Sequence, residues 1–352
     1  MCWKATFEMK IQFAAHWNHL LERFPADQTD IYFREEYVRL YETDAEKAVC
    51  CTVEEDDKCM LFPYLLRTFS FGEQELHDFE TAYGYGGPLW NNEDDRFKAD
   101  ALRLMAEEME RQHYVAGFVR FHPLLQNQEG FECIGRLLAE RRTVAIDLDQ
   151  TEEEIWNNEL HSKNRNVIRK AEKAGCRFVV DDRFEHLGDF VRLYDATMDK
   201  LAADGFYYFT DRYYRQFIEG MAGSFLGCVV DSDNTVISAA IFMQYGPYGH
   251  YHLSGSDMSR LSLSPNNFML WEAAKELRRR GVKRFHLGGG TNSDEENSLF
   301  LFKRRFSKST CQFYIGKLIL NPEMYGAVCR DWEQRNPEKT EKYKQFLLKY
   351  KY

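Results

Sequence analysis

Ser264-Pro265-Asn266-Asn267-Phe268-Met269-Leu270-Trp271 is the stretch that decides the fold of this chain. It predicts the start of a helix, which ends at Gly281. A short strand then runs into Leu287-Gly288-Gly289-Gly290, and the motif Leu299-Phe300-Leu301-Phe302-Lys303-Arg304-Arg305-Phe306 follows. Helix, strand, glycine turn and second helix therefore form one α/β unit in the last third of the sequence.

The whole sequence divides into two halves, and each half alternates between helical and strand patterns. Residues 96–112 and 155–175 have helical periodicity, whereas residues 58–66 and 235–245 are typical of strands. A polar run at 149–154 marks the boundary. We therefore predict two domains, residues 1–149 and 150–352, with an α/β (α+β) fold. Each domain should contain a mixed, largely antiparallel sheet flanked by helices.

Lys303 is the first candidate for a catalytic residue. The pattern Leu-Phe-x-Phe-Lys-x-x-Phe is expected to bury Leu299, Phe302 and Phe306 on one helical face, with the Lys303 ammonium reaching into a cleft. A fixed cation in such a cleft can stabilise the negative charge that develops on a substrate oxygen in a transition state. The alternative is a solvated surface lysine between neighbouring basic residues.

Two further segments carry candidate binding residues. Lys163, Arg165 and Arg169 lie on the helix that opens the second half, where a basic stripe either binds phosphates or faces water. The loop Tyr83-Gly84-Tyr85-Gly86-Gly87-Pro88 combines glycines, which allow close backbone approach, with two tyrosine rings and hydroxyls. This loop is either a tight structural turn or one wall of a substrate site.

Three histidines near the predicted strands are candidate metal ligands or general bases. His250 and His252 flank Tyr251 on a strand, so the two imidazoles share one face. No carboxylate or cysteine lies at convincing ligand spacing from them or from His286, and we therefore expect no metal. One histidine is a candidate general base for an attacking nucleophile. No residue pattern indicates a covalent enzyme intermediate, so direct attack on the substrate is expected.

The motifs at 264–271, 287–290 and 299–306 resemble, in this order, the C-terminal half of the FemABX-like transferases. These enzymes build peptidoglycan bridges, and their wider relatives are the GNAT N-acyltransferases. The resemblance covers the second half well and the first half weakly. It implies tandem GNAT-like domains, with a C-terminal tail that can pack back on the first domain.

The same resemblance implies roles for particular residues. In such transferases the lysine at the position of Lys303 is thought to hold the transition-state charge, and basic residues of the preceding helix meet substrate phosphates. The loop at 83–88 is similar to one in GNAT-like proteins of surface-polysaccharide pathways, which implies an acceptor-site wall. The expected substrate-binding residues are Lys163, Arg165, Arg169, Tyr83, Tyr85, Gly86, Gly87, Asn266, Asn267, Tyr251, His252, Gly288, Gly289 and Arg305.

The loop that precedes the helix at Pro265 indicates which acyl donor the protein uses. Acetyl-CoA-dependent GNAT enzymes usually hold the pyrophosphate with an Arg/Gln-x-x-Gly-x-Gly/Ala loop, whereas residues 260–267 contain no glycine. This absence favours aminoacyl-tRNA as the donor and leaves acyl-CoA as the alternative. A third alternative is a GNAT-like module that binds a sugar or peptide without catalysis. No tightly bound cofactor is expected.

Composition restricts the compartment and the partners. The nine cysteines contain no Cys-x-x-Cys pair, and the first ten residues include Lys4, Glu8 and Lys10, unlike a signal peptide. No apolar run approaches the length of a spanning helix. The net charge of −10 argues against broad nucleic-acid binding, although a local basic surface is compatible with it. We expect a cytoplasmic protein whose partners are a nucleotide- or lipid-linked cell-envelope precursor and charged tRNA.

Overall fold

A computed structural model describes residues 9–352, so Lys4 and Glu8 lie outside the described residues. The chain forms two units: the described residues up to Glu140 together with Phe313–Tyr352, and Arg141–Gln312. The sequence predicts a boundary after residue 149, with a C-terminal tail that can pack back on the first domain. The observed boundary lies nine residues earlier, and the C-terminal segment belongs to the first unit.

The elements alternate between strands and helices. The strands are β1 Lys10–Ala14, β2 Glu46–Glu55, β3 Lys58–Phe71, β4 Gln74–Glu80, β5 Leu89–Trp90, β6 Tyr114–Arg120, β7 Arg136–Asp147, β8 Arg177–Asp181, β9 Phe225–Val230, β10 Val236–Tyr245, β11 Tyr248–Ser256, β12 Arg284–Gly289 and β13 Thr310–Ile319. The helices are α1 Glu35–Arg39, α2 Asp95–Arg111, α3 Glu152–Glu154, α4 Ser162–Lys173, α5 Leu187–Leu201, α6 Asp211–Gly220, α7 Pro265–Arg279, α8 Ser298–Arg304, α9 Pro322–Arg335 and α10 Pro337–Tyr343.

The first unit contains strands in the order β1-β2-β3-β4-β6-β13. All neighbours are antiparallel except β4 and β6, which α2 connects. Phe97, Ala101, Met105 and Met109 on one side of α2 are fully buried, as the periodicity of residues 96–112 predicts. The core of this unit therefore lies between α2 and the sheet.

The second unit repeats this pattern, with strands in the order β8-β9-β10-β11-β12-β7. Again one pair is parallel, β11 with β12, and α7 connects its two strands. Met269, Leu270 and Ala273 of α7 are completely buried in the core of the unit. The predicted fold class, an α/β (α+β) fold with mixed, largely antiparallel strands and flanking helices in each unit, is confirmed. Among the described residues, no helix is long and apolar enough to cross a bilayer.

Gly255 makes the packing of α5 on β11 possible. A Cβ at this position would lie 2.3 Å from the backbone of Leu193 and Tyr194. We expect Gly255→Ala to lower the free energy of unfolding by about 1–3 kcal/mol or more, because a backbone contact cannot relax as a side chain does. Gly188→Ala on α5 is the matched control. Its Cβ would meet nothing within 4 Å, so urea unfolding should show no loss of stability.

Candidate active site

The parallel strands β11 and β12 separate at the centre of the second unit. Their pairing covers only Tyr248–His250 against Arg284–His286, although β11 continues to Ser256 and β12 to Gly289. Beyond His286, β12 pairs on its other side with β7. The carboxyl ends of the two strands therefore leave a gap, the usual position of a ligand in an open α/β sheet.

Lys303 of α8 reaches this gap. Its side chain is only 7% exposed, and Nζ donates a hydrogen bond to the carbonyl oxygen of Gly289 on β12 at 2.8 Å. Nζ also lies 6.0 Å from the ring centroid of Tyr251 on β11. The ammonium is thus held between the ends of the two strands, and it is not a solvated surface group.

The face of α8 that carries Lys303 differs from the predicted one. Leu299, which was expected to be buried, is 38% exposed, whereas Phe300 is 7% exposed and Phe306 is completely buried. The expected burial of Leu299 is therefore wrong. Lys303 lies on the buried side of this short helix, together with Phe300 and Phe306.

The environment of Lys303 disfavours its charge. Burial, and secondarily the positive charge of Arg141, lower the pKa of Lys303 from 10.5 to about 7. No carboxylate forms an ion pair with Lys303 among the described residues. A lysine with a lowered pKa and no counter-ion inside a gap is typical of a functional site.

The glycine turn at the end of β12 supports this lysine. Gly288 has a φ of +77°, which favours glycine, and it coincides with a register shift between β12 and β7. A Cβ on Gly289 would lie 2.9 Å from the carbonyl oxygen of Arg142. Gly288 and Gly289 are therefore both needed for the shape of the turn. The carbonyl oxygen of Gly289 orients the ammonium of Lys303.

Tyr251 and His252 are uncharged groups at neutral pH. The Tyr251 hydroxyl donates to Ser254 Oγ at 2.6 Å, and burial raises its pKa to about 12. His252 Nε2 lies 2.9 Å from the Tyr213 hydroxyl, and burial, followed by the charge of His250, lowers the pKa of His252 to about 3. An imidazole with this pKa is a weak general base at pH 7.

The basic residues of α4 have different surroundings. Arg165 donates through Nη1 to the carbonyl oxygens of Trp156 at 3.0 Å and Leu160 at 2.6 Å, and so stabilises the turn before its own helix. Arg169 is exposed and lies 5.2 Å from the Trp156 ring centroid. Lys163 is also exposed. Arg169 and Lys163 thus remain accessible to a phosphate, whereas Arg165 has a structural role.

Three other predicted binding residues contact the protein itself. Asn266 Oδ1 accepts hydrogen bonds from the hydroxyls of Ser238 and Ser256, and the Asn267 side chain donates to Asn164. These contacts connect α7 to β10, β11 and α4. Arg305 is exposed, and its carbonyl oxygen accepts from the buried Asn164 side chain at 3.3 Å.

The predicted tyrosine loop lies in the first unit. Gly87 has a φ of +92°, and the Asn127 side chain donates to the carbonyl oxygens of Gly86 and Pro88 at 2.9 and 2.8 Å. The Tyr37 hydroxyl donates to the carbonyl oxygen of Tyr83 at 2.9 Å. Tyr85 is half-buried and contacts the rings of three other aromatic residues, namely Tyr32, His122 and Phe313. The loop is therefore rigidly held, and two tyrosine rings remain partly accessible.

The second unit contains a segment that matches a known protein family. Residues 160–297 match the family model of an acetyltransferase (GNAT) domain. These residues are a GNAT acyltransferase domain. Lys303 lies just beyond the matched segment, so its role depends on the geometry described above. No curated protein sequence matches the chain.

Solved structures extend the comparison to the whole chain. FemX is similar with a TM-score of 0.68 and 15% identity, over 91% of this chain and 99% of FemX. A tandem GNAT protein from the clavulanic acid biosynthesis pathway has a TM-score of 0.54 and 10% identity, over 90% and 99% of the two chains. The C-terminal (DUF2156) domain of a proposed lysylphosphatidylglycerol synthetase from Agrobacterium fabrum has a TM-score of 0.54 and 14% identity, over 86% and 92%.

At these identities the structures show the fold alone, which is the predicted tandem GNAT-like, FemABX-like fold. The acyltransferase activity is supported by the match of residues 160–297 to the GNAT family model.

Proposed function

We propose that this acyltransferase moves an aminoacyl group from aminoacyl-tRNA onto a primary amine of a cell-envelope precursor. The acceptor is a peptide stem or an amino sugar carried on a nucleotide or lipid phosphate. The observation that carries the proposal is the Lys303 ammonium, held by the Gly289 carbonyl oxygen in the gap between β11 and β12. One of the three Nζ hydrogens makes this bond, and two remain for a substrate oxygen.

The chemistry needs no covalent enzyme intermediate. The acceptor nitrogen attacks the ester carbonyl carbon, a C–N bond forms, and the electron pair of the C=O bond moves to oxygen. Lys303 in its charged form stabilises this oxyanion. Collapse restores the carbonyl, breaks the ester C–O bond, and transfers the nitrogen's proton to the released ribose hydroxyl. Holding the two substrates in register supplies part of the rate.

The start of α7 supports the choice of donor. Pro265 has no N–H, and the amides of Asn267 and Phe268 both donate to the carbonyl oxygen of Ser264, at 3.2 and 3.3 Å. The first turn of this helix therefore offers few free amides to a pyrophosphate. A CoA donor is normally bound by several such amides at a helix N-terminus.

The acceptor is assigned to groups that remain accessible. We place its phosphate near Lys163 and Arg169 of α4, whose charged side chains face solvent. The tyrosine loop at Tyr83–Gly87 lies in the first unit, and its role as a wall for a sugar or a peptide stays a separate prediction from its rings and hydroxyls. Asn266 and Asn267 are not retained as substrate ligands, since their side chains connect elements of the fold.

An acyl-CoA donor is the second candidate. It is favoured by the match of residues 160–297 to an acetyltransferase domain. With this donor Lys303 would stabilise the same oxyanion, and the thiol of CoA would be the leaving group. The two candidates therefore differ in the donor, and they share the catalytic residue.

Thermal unfolding with added ligands distinguishes the donors. We expect a charged-tRNA mixture to raise the midpoint, while CoA and acetyl-CoA leave it unchanged, because ligand at 100 times its Kd adds about 2.7 kcal/mol to the folded state. Uncharged tRNA and an unrelated RNA of equal length are the controls. Stabilisation by acetyl-CoA alone would replace the proposed donor with acyl-CoA, and no response to either would contradict both proposals.

A further inference from the structure

An exposed apolar face lies just before α7 in the second unit. A 3₁₀ helix of six residues, Met258–Leu263, connects β11 to α7. In a 3₁₀ helix, side chains three residues apart lie above one another, so Met258 and Leu261 share one face. Their exposed fractions are 39% and 40%. Single exposed apolar side chains are common on any protein, but two on one face of so short a helix form a continuous apolar surface.

The end of α5 extends this surface. Lys200 Nζ lies 3.7 Å from Met258 Sδ, so the last turn of α5 lies beside the short helix. Leu201, the next residue of α5, is 65% exposed. Leu201, Met258 and Leu261 together are called the apolar ridge below.

A lysine lies at each end of the apolar ridge. Lys200 contacts its Met258 end, as described above. At the other end Lys170 of α4 is exposed and donates to the carbonyl oxygen of Ser262 at 3.2 Å. The helix α4 contains five Lys and Arg residues and one Glu, so this end of the ridge is positive in a chain with a net charge of −10.

The two lysines have no carboxylate as an ion-pair partner in the part of the chain that the structure describes. The nearby carboxylates contact other groups. Asp257 accepts from the backbone N–H of Ser259 at 2.8 Å, and Asp199 accepts from the Tyr208 hydroxyl at 2.8 Å. An ammonium has three N–H donors, so both lysines retain donors for an anionic partner.

We propose that the apolar ridge docks on an anionic lipid bilayer. Bilayer surfaces accept apolar side chains at the boundary between headgroups and acyl chains, and the long lysine stems let the ammonium groups reach lipid phosphates. A protein partner fits less well, because stable protein interfaces cover about 800 Å² on each partner and are depleted in lysine. The inference goes beyond the proposed function and does not depend on which donor or acceptor the enzyme uses.

The test is co-sedimentation of the full chain with vesicles of equal parts phosphatidylcholine and phosphatidylglycerol. We expect the protein to bind these vesicles at low salt and to be released as the salt concentration rises, because salt screens the surface potential. Vesicles of phosphatidylcholine alone should bind it at least about fivefold more weakly, since the lysines then lose their attraction.

Two variants locate the docking surface. Replacing both Met258 and Leu261 with Ser should weaken binding to the anionic vesicles about tenfold or more, because the ridge loses its apolar surface. Lys170→Gln should weaken binding about fivefold, the usual effect of one basic residue near an anionic surface. All three side chains are exposed, so the midpoint of thermal unfolding should not change.

Matched controls come from the same unit. Ile218 of α6 is 37% exposed and lies outside the ridge, so Ile218→Ser removes a comparable apolar side chain. Lys308 is an exposed lysine in a different segment, and Lys308→Gln removes a comparable charge. Both control variants should bind vesicles as the wild-type protein does.

The outcomes separate this inference from its alternatives. A wild-type protein that ignores anionic vesicles overturns it, as does wild-type-like binding by both ridge variants or an equal loss in the controls. Sedimentation velocity without lipid tests a second copy of the chain as the occupant. A wild-type dimer that the Met258/Leu261 double variant converts to a monomer would assign the ridge to that contact and overturn the bilayer. None of these results changes the proposed acyl transfer, which is measured separately.

Discussion

Replacing Lys303 with Met should lower kcat/KM for acyl transfer by about 10²- to 10³-fold, the usual effect of removing one donor to an oxyanion. Met has a similar length and fills the same space without a charge. The loss should appear mainly in kcat, because the ammonium interacts more strongly with the charge of the transition state than with the neutral ester. Single-turnover kinetics with the charged donor and excess acceptor measure this step directly.

The control for Lys303→Met is Lys308→Met in the same segment. Lys308 is exposed, and its backbone N–H donates to the Glu159 carboxylate, whereas its side chain is not assigned to the site. Turnover should be unchanged in this variant, and binding of the acceptor should be unchanged in both variants. Equal turnover by the wild-type protein and Lys303→Met would exclude the mechanism proposed here.

The sequence predicted the architecture well because the helices and hairpins of each unit are encoded locally. The apolar stripe of residues 96–112 predicts α2, which spans Asp95–Arg111. The strong turn between β10 and β11 likewise predicts a hairpin that is present. The residues that define a helical stripe or a hairpin turn are close together in the chain, so the sequence alone is enough to predict these elements.

Residues 155–175 show where local periodicity is insufficient. One continuous helix was predicted, but the chain leaves the helical conformation at Leu160, with ψ at 127°, and α4 begins only after His161. The backbone N–H of His161 donates to the carbonyl oxygen of Arg305, and Arg165 donates to the carbonyl groups before the break. The prediction of one helix is therefore wrong, because a contact more than 140 residues away in sequence overrides helical propensity.

The candidate site was only partly predictable for the same reason. The position of the Lys303 side chain in a gap was predictable because the motif around it is local, although the buried face of α8 was misjudged. Arg141 was missed. Its Nη1 donates to the carbonyl oxygen of Gly290, 149 residues further along the chain, and nothing beside Arg141 in the sequence indicates that contact. Tyr213, which contacts His252 from α6, was missed for the same reason.

The lowered pKa of Lys303 gives a second prediction, on pH. Lys303 should stabilise the oxyanion only when it is protonated, so kcat/KM should fall as pH rises through about 7, the pKa of this group in the free enzyme. Rates measured between pH 5.5 and 9 should show this descending limb in the wild-type protein. In Lys303→Met the low residual rate should not have a descending limb near pH 7.

The same group links stability to pH, and the sign can be worked out. Between pH 7 and 10.5 the unfolded chain holds the Lys303 proton more tightly than the folded chain does, so the contribution of this residue to stability becomes less unfavourable as pH rises. Below pH 7 the full penalty applies, at most about 5 kcal/mol at 1.36 kcal/mol for each pKa unit.

Lys303→Met removes that penalty, so the free energy of unfolding of the variant should exceed that of the wild-type protein most at pH 6. The excess should shrink steadily towards pH 10, and urea unfolding at several pH values measures it. An excess that does not depend on pH would mean that Lys303 keeps an ordinary lysine pKa in the folded protein. The descending limb of kcat/KM would then have to come from another group, since the same folded-state pKa of about 7 sets both the limb and the pH at which the excess begins to shrink.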